Sequence, residues 1–129
     1  MLLPITLTMA GAAALIAIWL AIRCGQARHA AGVSIGDGGD PRLTARMRAQ
    51  ANFVEYTPFM LILLGLIEYA RGPHLWLWIA AILFMLARIA HAFGMDRPAP
   101  NPLRGGGMLG TFVVLLAFAG YAIWLPYAA

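Results

Sequence analysis

The chain of 129 residues has little charge and very few nucleophilic side chains. It contains no lysine, one cysteine (Cys24) and one serine (Ser34), and only 11% of its residues are charged. A single cysteine excludes an intrachain disulfide and a redox-active thiol pair. The segment GVSIG at 32–36 spells G-x-S-x-G around Ser34, but it lies in a polar loop between apolar stretches and not at the strand-to-helix turn that makes this motif a nucleophile elbow. The three histidines lack cysteine or acidic neighbours at metal-ligand spacing, so that no metal site is predicted. Serine-nucleophile and metal-dependent enzymes are therefore poor fits.

Hydrophobic residues are abundant by contrast and make up 62% of the chain, whereas a soluble domain has about 45–50%. A soluble protein of this size could not bury them, because about 40% of the surface of its unfolded chain would still face water after folding. The composition therefore predicts an integral membrane protein. All nine basic residues are arginines, but they are scattered and form no nucleic-acid-binding module, so no nucleic acid is expected as a partner.

Four apolar stretches approach the length of about 20 residues that a helix needs to cross a bilayer. They cover about 2–22, 46–69, 75–93 and 106–125. We predict an all-α bundle of four transmembrane helices in a single domain that comprises 1–129. The pattern also predicts a long polar loop at 23–45, a tight turn at 71–74 and a proline-containing connection at 94–105.

The arginines indicate how the bundle is oriented. Seven of them lie in the first and third connections or at the adjoining helix ends, and the second connection holds only Arg71. Under the positive-inside rule the arginine-rich side is cytoplasmic, which places both termini, including Ala129, in the periplasm. Aromatic residues near the opposite helix ends match a membrane-interface belt: Trp76, Trp78, Trp124 and Tyr127.

The stretch RMRAQANFVEYTP at 46–58 carries unusual polarity for a membrane-spanning segment. Helical spacing places Arg48, Asn52, Glu55 and Tyr56 on one face. Ionisable groups at membrane depth cost roughly 2.5–3.5 kcal/mol each on insertion scales, so they are expected to face protein or a water-filled cavity. Two interpretations remain open, namely an Arg48–Glu55 pair that only fixes helix packing and a ligand-binding site.

A second polar cluster lies towards the end of the third predicted helix. Arg88 and His91 share one helix face, although Arg88 could instead extend to the interface and His91 could be a packing residue. Arg104 begins the fourth helix, where a helix N-terminus beside an arginine suits an anion, and Arg28 lies in a polar extension of the first helix. Together these side chains suit a small ligand with two or more carboxylates, an ammonium group and a polar backbone.

The motif RMRAQANFVEYTP resembles the signature of the MAPEG family, the membrane-associated proteins in eicosanoid and glutathione metabolism. The stretch ARIAHAF at 87–93 and the run PAPNPLR at 98–104 are similar to those of microsomal glutathione transferases, and GDGG with VEYTP resembles the small bacterial branch. The resemblance covers about 28–125. It implies a homotrimer in the bacterial inner membrane that binds glutathione, as co-substrate and without a metal, between subunits on the cytoplasmic side. A hydrophobic small molecule or lipid is the further partner that it implies.

The resemblance also implies roles for individual residues. Arg104 matches the arginine proposed to stabilise the glutathione thiolate, and a guanidinium can do so because it lowers the pKa of a thiol from about 8.5. The remaining positions are assigned to glutathione binding: Arg28, Arg48, Asn52, Glu55, Tyr56, Arg88 and His91.

One position departs from the transferase pattern. Four residues after His91, where transferases often carry a tyrosine, this chain has Met95. The leading hypothesis is a membrane glutathione transferase or peroxidase acting on hydrophobic electrophiles, and the alternative is a non-catalytic protein that binds lipid or glutathione on the same scaffold. A small multidrug exporter is disfavoured, because 2–22 contains no acidic residue for proton coupling.

Overall fold

A computed structural model describes residues 1–128 as long α-helices joined by short connections. The helices are α1 (Pro4–Ala31), α2 (Pro41–Arg71), α3 (Leu75–Gly94) and α4 (Pro102–Trp124), and the short 3-10 helix Leu125–Tyr127 follows α4. Within 1–128 there is no β-strand. Each of the four helices is long and apolar enough to cross a membrane. The prediction of an all-α membrane protein with four spanning helices is confirmed.

The first connection is shorter than the sequence predicted. Helix α1 continues to Ala31 and α2 already begins at Pro41, so that the connection comprises only 32–40 rather than 23–45. Hydropathy marks only the part of a helix that lies in the hydrocarbon. The polar end of α1 stays helical because Cys24 and Ala27 pack against Leu43 of α2.

Capping residues explain where α2 and α4 begin. The Asp40 carboxylate accepts a hydrogen bond from the Leu43 amide at 2.8 Å, and the Asn101 carbonyl oxygen accepts one from the Arg104 amide at 2.9 Å. Side chains of this type satisfy amides of the first helical turn, and proline is favoured at that turn. Helix α4 therefore begins at Pro102, four residues before the predicted start at 106.

Side chains from all four helices fill the interior of the bundle. The outward faces expose large aliphatic side chains such as Leu15, Leu66 and Leu116, which is expected where lipid takes the place of water around the protein. The fully buried aliphatic and aromatic side chains of the main core come from each helix in turn: Ile5, Met60, Leu64, Leu77, Ala81, Phe84 and Phe118.

Helices α3 and α4 approach each other closely because the contact is lined by glycine. A Cβ atom added at Gly107 would lie 2.7 Å from the Ala87 carbonyl oxygen and 2.7 Å from the Cβ of His91. At Gly94, an added Cβ would overlap the backbone of Arg104. Small residues at helix crossings permit this kind of contact in membranes. The end of α3 is thereby held against the start of α4.

The first and third connections meet at one end of the bundle. Asp96, just after α3, forms ion pairs with Arg23 of α1 and with Arg46 of α2. At the opposite end, aromatic rings cluster between α3 and α4, where Trp76 lies 5.1 Å from Tyr121 between ring centroids. The arginine-rich loops and the aromatic residues thus lie at opposite ends.

Candidate functional site

The guanidinium of Arg88 is the centre of the polar cluster inside the bundle. Arg88 is only 2% exposed. Its Nη1 donates to the Asn52 side-chain oxygen, its Nη2 lies 3.5 Å from the Gly107 carbonyl oxygen and 3.4 Å from the Met108 sulfur, and its Cζ lies 5.6 Å from the centre of the Tyr56 ring. Arg88 thus connects α3 to α2 and α4, and does not extend to the interface.

No carboxylate neutralises Arg88 within the described chain. The ion pairs among residues 1–128 involve Arg23, Arg46 and Arg48 instead. The Nε of Arg88 is buried and lacks a hydrogen-bond partner in the same part of the chain. A buried cation with only neutral partners is costly, and its Nε is a donor that no group among residues 1–128 satisfies.

Arg48 and Glu55 lie on the outward edge of the α2 face that also carries Asn52 and Tyr56. The Arg48 Nη2 lies 3.7 Å from the Glu55 carboxylate, and the two side chains are 56% and 51% exposed. The polar face of α2 is therefore divided, with Asn52 and Tyr56 turned towards Arg88 and the ion pair turned outwards. Because both members of the pair belong to α2, their contact does not itself join two helices.

His91 and Arg104 lie close together across the α3–α4 contact. His91 is buried beside Gly107, and Arg104 is half-buried in the first turn of α4. Asn101 holds this turn in place, since its amide nitrogen donates to the Gly94 carbonyl oxygen at 2.9 Å while its oxygen caps Arg104. The start of α4 therefore presents Arg104 next to the end of α3.

Arg28 and Met95 are placed differently from the residues around Arg88. The Arg28 guanidinium donates to the Gly36 carbonyl oxygen at 2.7 Å and to that of Val33 at 3.4 Å. These contacts hold the α1–α2 connection against the end of α1. Met95 is half-buried and packs against the main core, so a thioether and not a phenol hydroxyl occupies this position.

The connection between α1 and α2 also contains a carboxylate with a perturbed pKa. The Gly39 amide donates to the Asp37 carboxylate at 3.0 Å, and the Thr44 hydroxyl donates to it at 3.0 Å. These two hydrogen bonds lower the pKa of Asp37, with the Gly39 amide as the larger cause. Hydrogen bonds to the charged form of a carboxyl group have this effect. Asp37 therefore orders the loop that Arg28 also contacts.

Sequence reasoning missed two acidic residues that organise the ends of the bundle. The Glu68 carboxylate, fully buried, accepts hydrogen bonds from the amides of Ile5 at 2.9 Å and Thr6 at 2.8 Å. Asp96 joins Arg23 and Arg46. Two features of the sequence could have indicated these roles. The start of α1 has no capping side chain of its own, and Asp96 is the single acidic residue of the third connection.

The structure thus has the features of a membrane protein with a polar cluster at one end. Four helices are long enough to span a bilayer, a buried arginine is shared between three of them, and an exposed charged pair lies at the same end. A family model described as the MAPEG family matches residues 6–124. The chain therefore belongs to the MAPEG family, a family of membrane proteins in glutathione and eicosanoid metabolism, and the expectation drawn from its motifs is confirmed.

Curated relatives come from Escherichia coli. The chain is 30% identical to the inner membrane protein YecN of strain K12 over 93 residues, which is 71% of this chain and 70% of the relative. The same values describe its similarity to YecN of strain O6:H1. The similarity thus extends over most of both chains.

Proposed function

We propose that this chain is a membrane-bound glutathione transferase or peroxidase-like protein of the bacterial inner membrane. It binds glutathione at the arginine-rich end of the bundle and directs the thiolate at hydrophobic electrophiles that arrive from the bilayer. In the transferase reaction the thiol releases its proton to water and the thiolate sulfur then forms a bond to an electrophilic carbon. The bond from that carbon to the leaving group breaks, and the leaving group departs with its electron pair. Family membership and the location of the YecN relative support this proposal.

The observation that carries the proposal is the buried guanidinium of Arg88 without a carboxylate partner. Glutathione offers two carboxylates, and a charge-assisted hydrogen bond that the guanidinium donates to one of them is stronger than a bond between neutral groups. Asn52 and Tyr56 adjoin Arg88 and can bind the peptide groups of the ligand. Glu55 is suited to the ammonium group, and Arg48 to the second carboxylate.

The exposed ion pair on α2 supports a contact between subunits, as in the homotrimer that the family resemblance implies. Arg48 and Glu55 are about half exposed in a single protomer, although charged groups at membrane depth are costly when they face lipid. A neighbouring subunit that covered this face would shield the pair and close the site around glutathione. The site then lies between subunits.

The proposed orientation places the glutathione site on the cytoplasmic side and both termini in the periplasm. The arginine-rich connections lie at the end that holds Arg48 and Arg104, whereas Arg71 is the single arginine of the opposite connection. Because the bacterial cytoplasm contains the reductants that keep thiols reduced, this side supplies a usable thiol.

Arg104 is the proposed catalytic residue. Its half-buried position in the first turn of α4 places a guanidinium at the N-terminus of a helix, and both the cation and the positive end of the helix dipole stabilise a negative charge. A stabilised thiolate is present at a higher fraction at neutral pH and attacks more often.

A second candidate function is glutathione or lipid binding without catalysis. It is favoured by Met95, which packs into the core where transferases often present a phenol hydroxyl. Without this hydroxyl, activation of the sulfur depends on Arg104 and on the dipole of α4. The two candidate functions share the binding site and differ in the fate of the thiol.

Glutathione binding by the purified protein in detergent tests both. Calorimetric titration should give saturable binding, and Arg48→Gln should weaken it about tenfold or more, since a hydrogen bond to a charged group contributes about 1.5–3 kcal/mol. Arg97→Gln is the matched control, because Arg97 is exposed and its side chain forms no ion pair within 1–128. Conjugation of a chloronitroarene then separates a transferase from a binder. Absence of glutathione binding would contradict the transferase and would leave only the lipid-binding form of the second candidate.

A further inference from the structure

Asp96 is surrounded by more positive charge than it can neutralise. Its carboxylate pairs with Arg23 and, at 3.1 Å, with the Nε of Arg46. Arg46 is fixed by a second hydrogen bond from its Nη1 to the Arg23 carbonyl oxygen at 3.1 Å. Arg42, one turn earlier in α2, is exposed and lines the same cavity. Three guanidinium groups and one carboxylate leave an excess of two positive charges here.

The cavity beside these residues can accommodate a phosphate-sized headgroup. It has a volume of about 470 Å³ and lies between the start of α2, with Pro41, Arg42 and Arg46, and the segment after α3, with Asp96. Arg23 directly follows the uncharged apolar run that ends at Ile22. The cavity is therefore at the level where the hydrocarbon ends and lipid headgroups begin.

An apolar groove on the lipid-facing side adjoins the same cluster. The groove has a volume of about 340 Å³ and is lined by side chains of α1 and α3: Leu15, Ile16, Trp19, Ile89 and Phe93. The Cζ of Arg23 lies 4.8 Å from the centre of the Trp19 ring and 5.1 Å from that of Phe93. Arg23 thus joins the aromatic end of the groove to Asp96 and to the charged cavity.

We propose that the charged cavity and the groove form a binding site for one anionic phospholipid. The phosphate of the headgroup binds Arg42 and Arg46 in the cavity, and an acyl chain lies in the groove past Trp19. Basic pockets at the membrane surface recognise anionic headgroups in this way, and the excess of positive charge selects phosphatidylglycerol over the zwitterionic phosphatidylcholine. The site uses none of the residues around Arg88 and none of those assigned to glutathione binding, although Met95 also lines the cavity.

Binding is measured on the purified protein in phosphatidylcholine nanodiscs that carry a small fraction of phosphatidylglycerol with a brominated acyl chain. Bromine quenches the fluorescence of nearby tryptophans. The difference in quenching between the wild type and Trp19→Phe is the contribution of Trp19, and it measures how far the groove is occupied. We expect phosphatidylglycerol to quench Trp19 and brominated phosphatidylcholine at the same fraction not to do so. Equal quenching by the two lipids would overturn the proposal.

The arginine variants test the headgroup contact. Arg42 forms no hydrogen bond or ion pair through its side chain among residues 1–128, so Arg42→Gln leaves the bundle intact. It should weaken phosphatidylglycerol binding about fivefold, which corresponds to one basic residue near an anionic membrane. Arg97→Gln, on the same connection as Asp96 but outside the cavity, should have no effect. Equal affinities of the two variants would overturn the headgroup assignment.

Soluble glycerol phosphate distinguishes a lipid site from a site for free phosphate. We expect it not to displace phosphatidylglycerol, because it lacks the acyl chain that occupies the groove. Leu15→Trp, which fills the exposed groove, should reduce phosphatidylglycerol binding. Efficient displacement by glycerol phosphate, together with unchanged lipid binding by Leu15→Trp, would show that the cavity takes a free anion and that the lipid assignment is wrong.

Discussion

Arg88 lies two turns before the end of α3, where a long side chain could reach the interface, and yet its guanidinium turns inwards. It does so because Asn52 and the face of Tyr56 offer neutral partners on α2. Removing either partner would leave the buried charge with less compensation. Asn52 and Tyr56 of α2 therefore form one polar cluster with Arg88 of α3.

Arg104 is the residue whose substitution separates an enzyme from a binder. Arg104→Ala should raise the pKa of bound glutathione thiol towards its solution value of about 8.5, because a guanidinium that stabilises the thiolate is lost. Titration of the bound complex, followed through the ultraviolet absorbance of the thiolate, measures this directly. The rate of conjugation at neutral pH should fall even when glutathione is saturating.

Arg48→Ala is the control for Arg104→Ala, since it should weaken glutathione binding and change the thiol pKa less. If the wild type and Arg104→Ala titrate alike, Arg104 only anchors the start of α4. With Met95 in the position of the usual tyrosine, no side chain identified at the site would then activate the sulfur. The non-catalytic function would replace the transferase.

Spacing along the sequence predicted the residues that share a helix face, and failed for residues whose partners are distant. Asn52 and Tyr56 could be assigned to one face of α2 because they are one turn apart. Glu68 bonds to Thr6, 62 positions away, and Asp96 to Arg23, 73 positions away. Pairings of this kind depend on which helix ends meet in the bundle, which the local pattern does not contain.

At the scale of elements, the start of α1 depends on a carboxylate from α2. The first amides of a helix have no partners within it, and Glu68 satisfies those of Ile5 and Thr6. Glu68→Gln keeps the shape but removes the charge, and should destabilise the protein by about 1–3 kcal/mol. Faster hydrogen exchange at the Ile5 and Thr6 amides is the measurement.

Thr6→Val provides the comparison for Glu68→Gln. It removes only the hydroxyl donor to Glu68, a bond of 2.7 Å, and leaves both amide bonds in place, so a smaller loss of about 1 kcal/mol is expected. Unchanged exchange at Ile5 and Thr6 in Glu68→Gln would show that the first turn of α1 is held by packing alone.

The contact between α3 and α4 offers a matched pair of glycine substitutions. Gly107→Ala should destabilise the bundle by about 1–3 kcal/mol, because the added Cβ meets Ala87 and His91 and forces the helices apart. Gly106→Ala meets nothing within 4 Å and should stabilise α4 by up to about 1 kcal/mol through helix propensity. Thermal unfolding in detergent compares the two, and equal effects would contradict close α3–α4 packing.

The sequence predicted the number and order of the helices because apolar runs of spanning length are a strong signal. It misplaced the C-terminal end of α1 and the start of α2, because helical structure continues into polar residues that hydropathy assigns to a loop. The end of α3 was predicted within one residue, since the apolar run and the helix end together at 93–94. Capping residues such as Asp40 and Asn101 are visible in the sequence and mark the true starts.

At the scale of the whole molecule, charge and aromatic residues divide the bundle into two ends. The prediction for its orientation is that the connection at 32–40 is cytoplasmic and the C-terminus periplasmic. Alkaline phosphatase fused after Ala129, a position outside the described residues, should be active, and phosphatase inserted after Ser34 should be inactive. The reverse result would place the arginine-rich end in the periplasm and would contradict the proposed cytoplasmic glutathione site.

An exposed stripe along α2 leads to the prediction for the assembly. Phe59, Ile62 and Leu66 are exposed and continue the face of Glu55 at helical spacing. If three protomers pack through this face, Ile62→Cys in a Cys24→Ser background should form disulfide-linked dimers on oxidation. The wild-type particle in mild detergent should have the mass of three chains. The charged pair at one end of the stripe would then be covered.

Leu116→Cys is the matched control, because Leu116 is equally apolar and exposed but lies on α4. It should not cross-link when Ile62→Cys does.

Glu55→Leu adds a second measurement, since it should weaken glutathione binding and leave membrane insertion intact if Glu55 contacts the ligand between subunits. If Glu55→Leu dissociates the assembly while the remaining protein binds glutathione as before, the Arg48–Glu55 pair serves packing, and the ligand must be bound by Arg88 and its neighbours within one protomer.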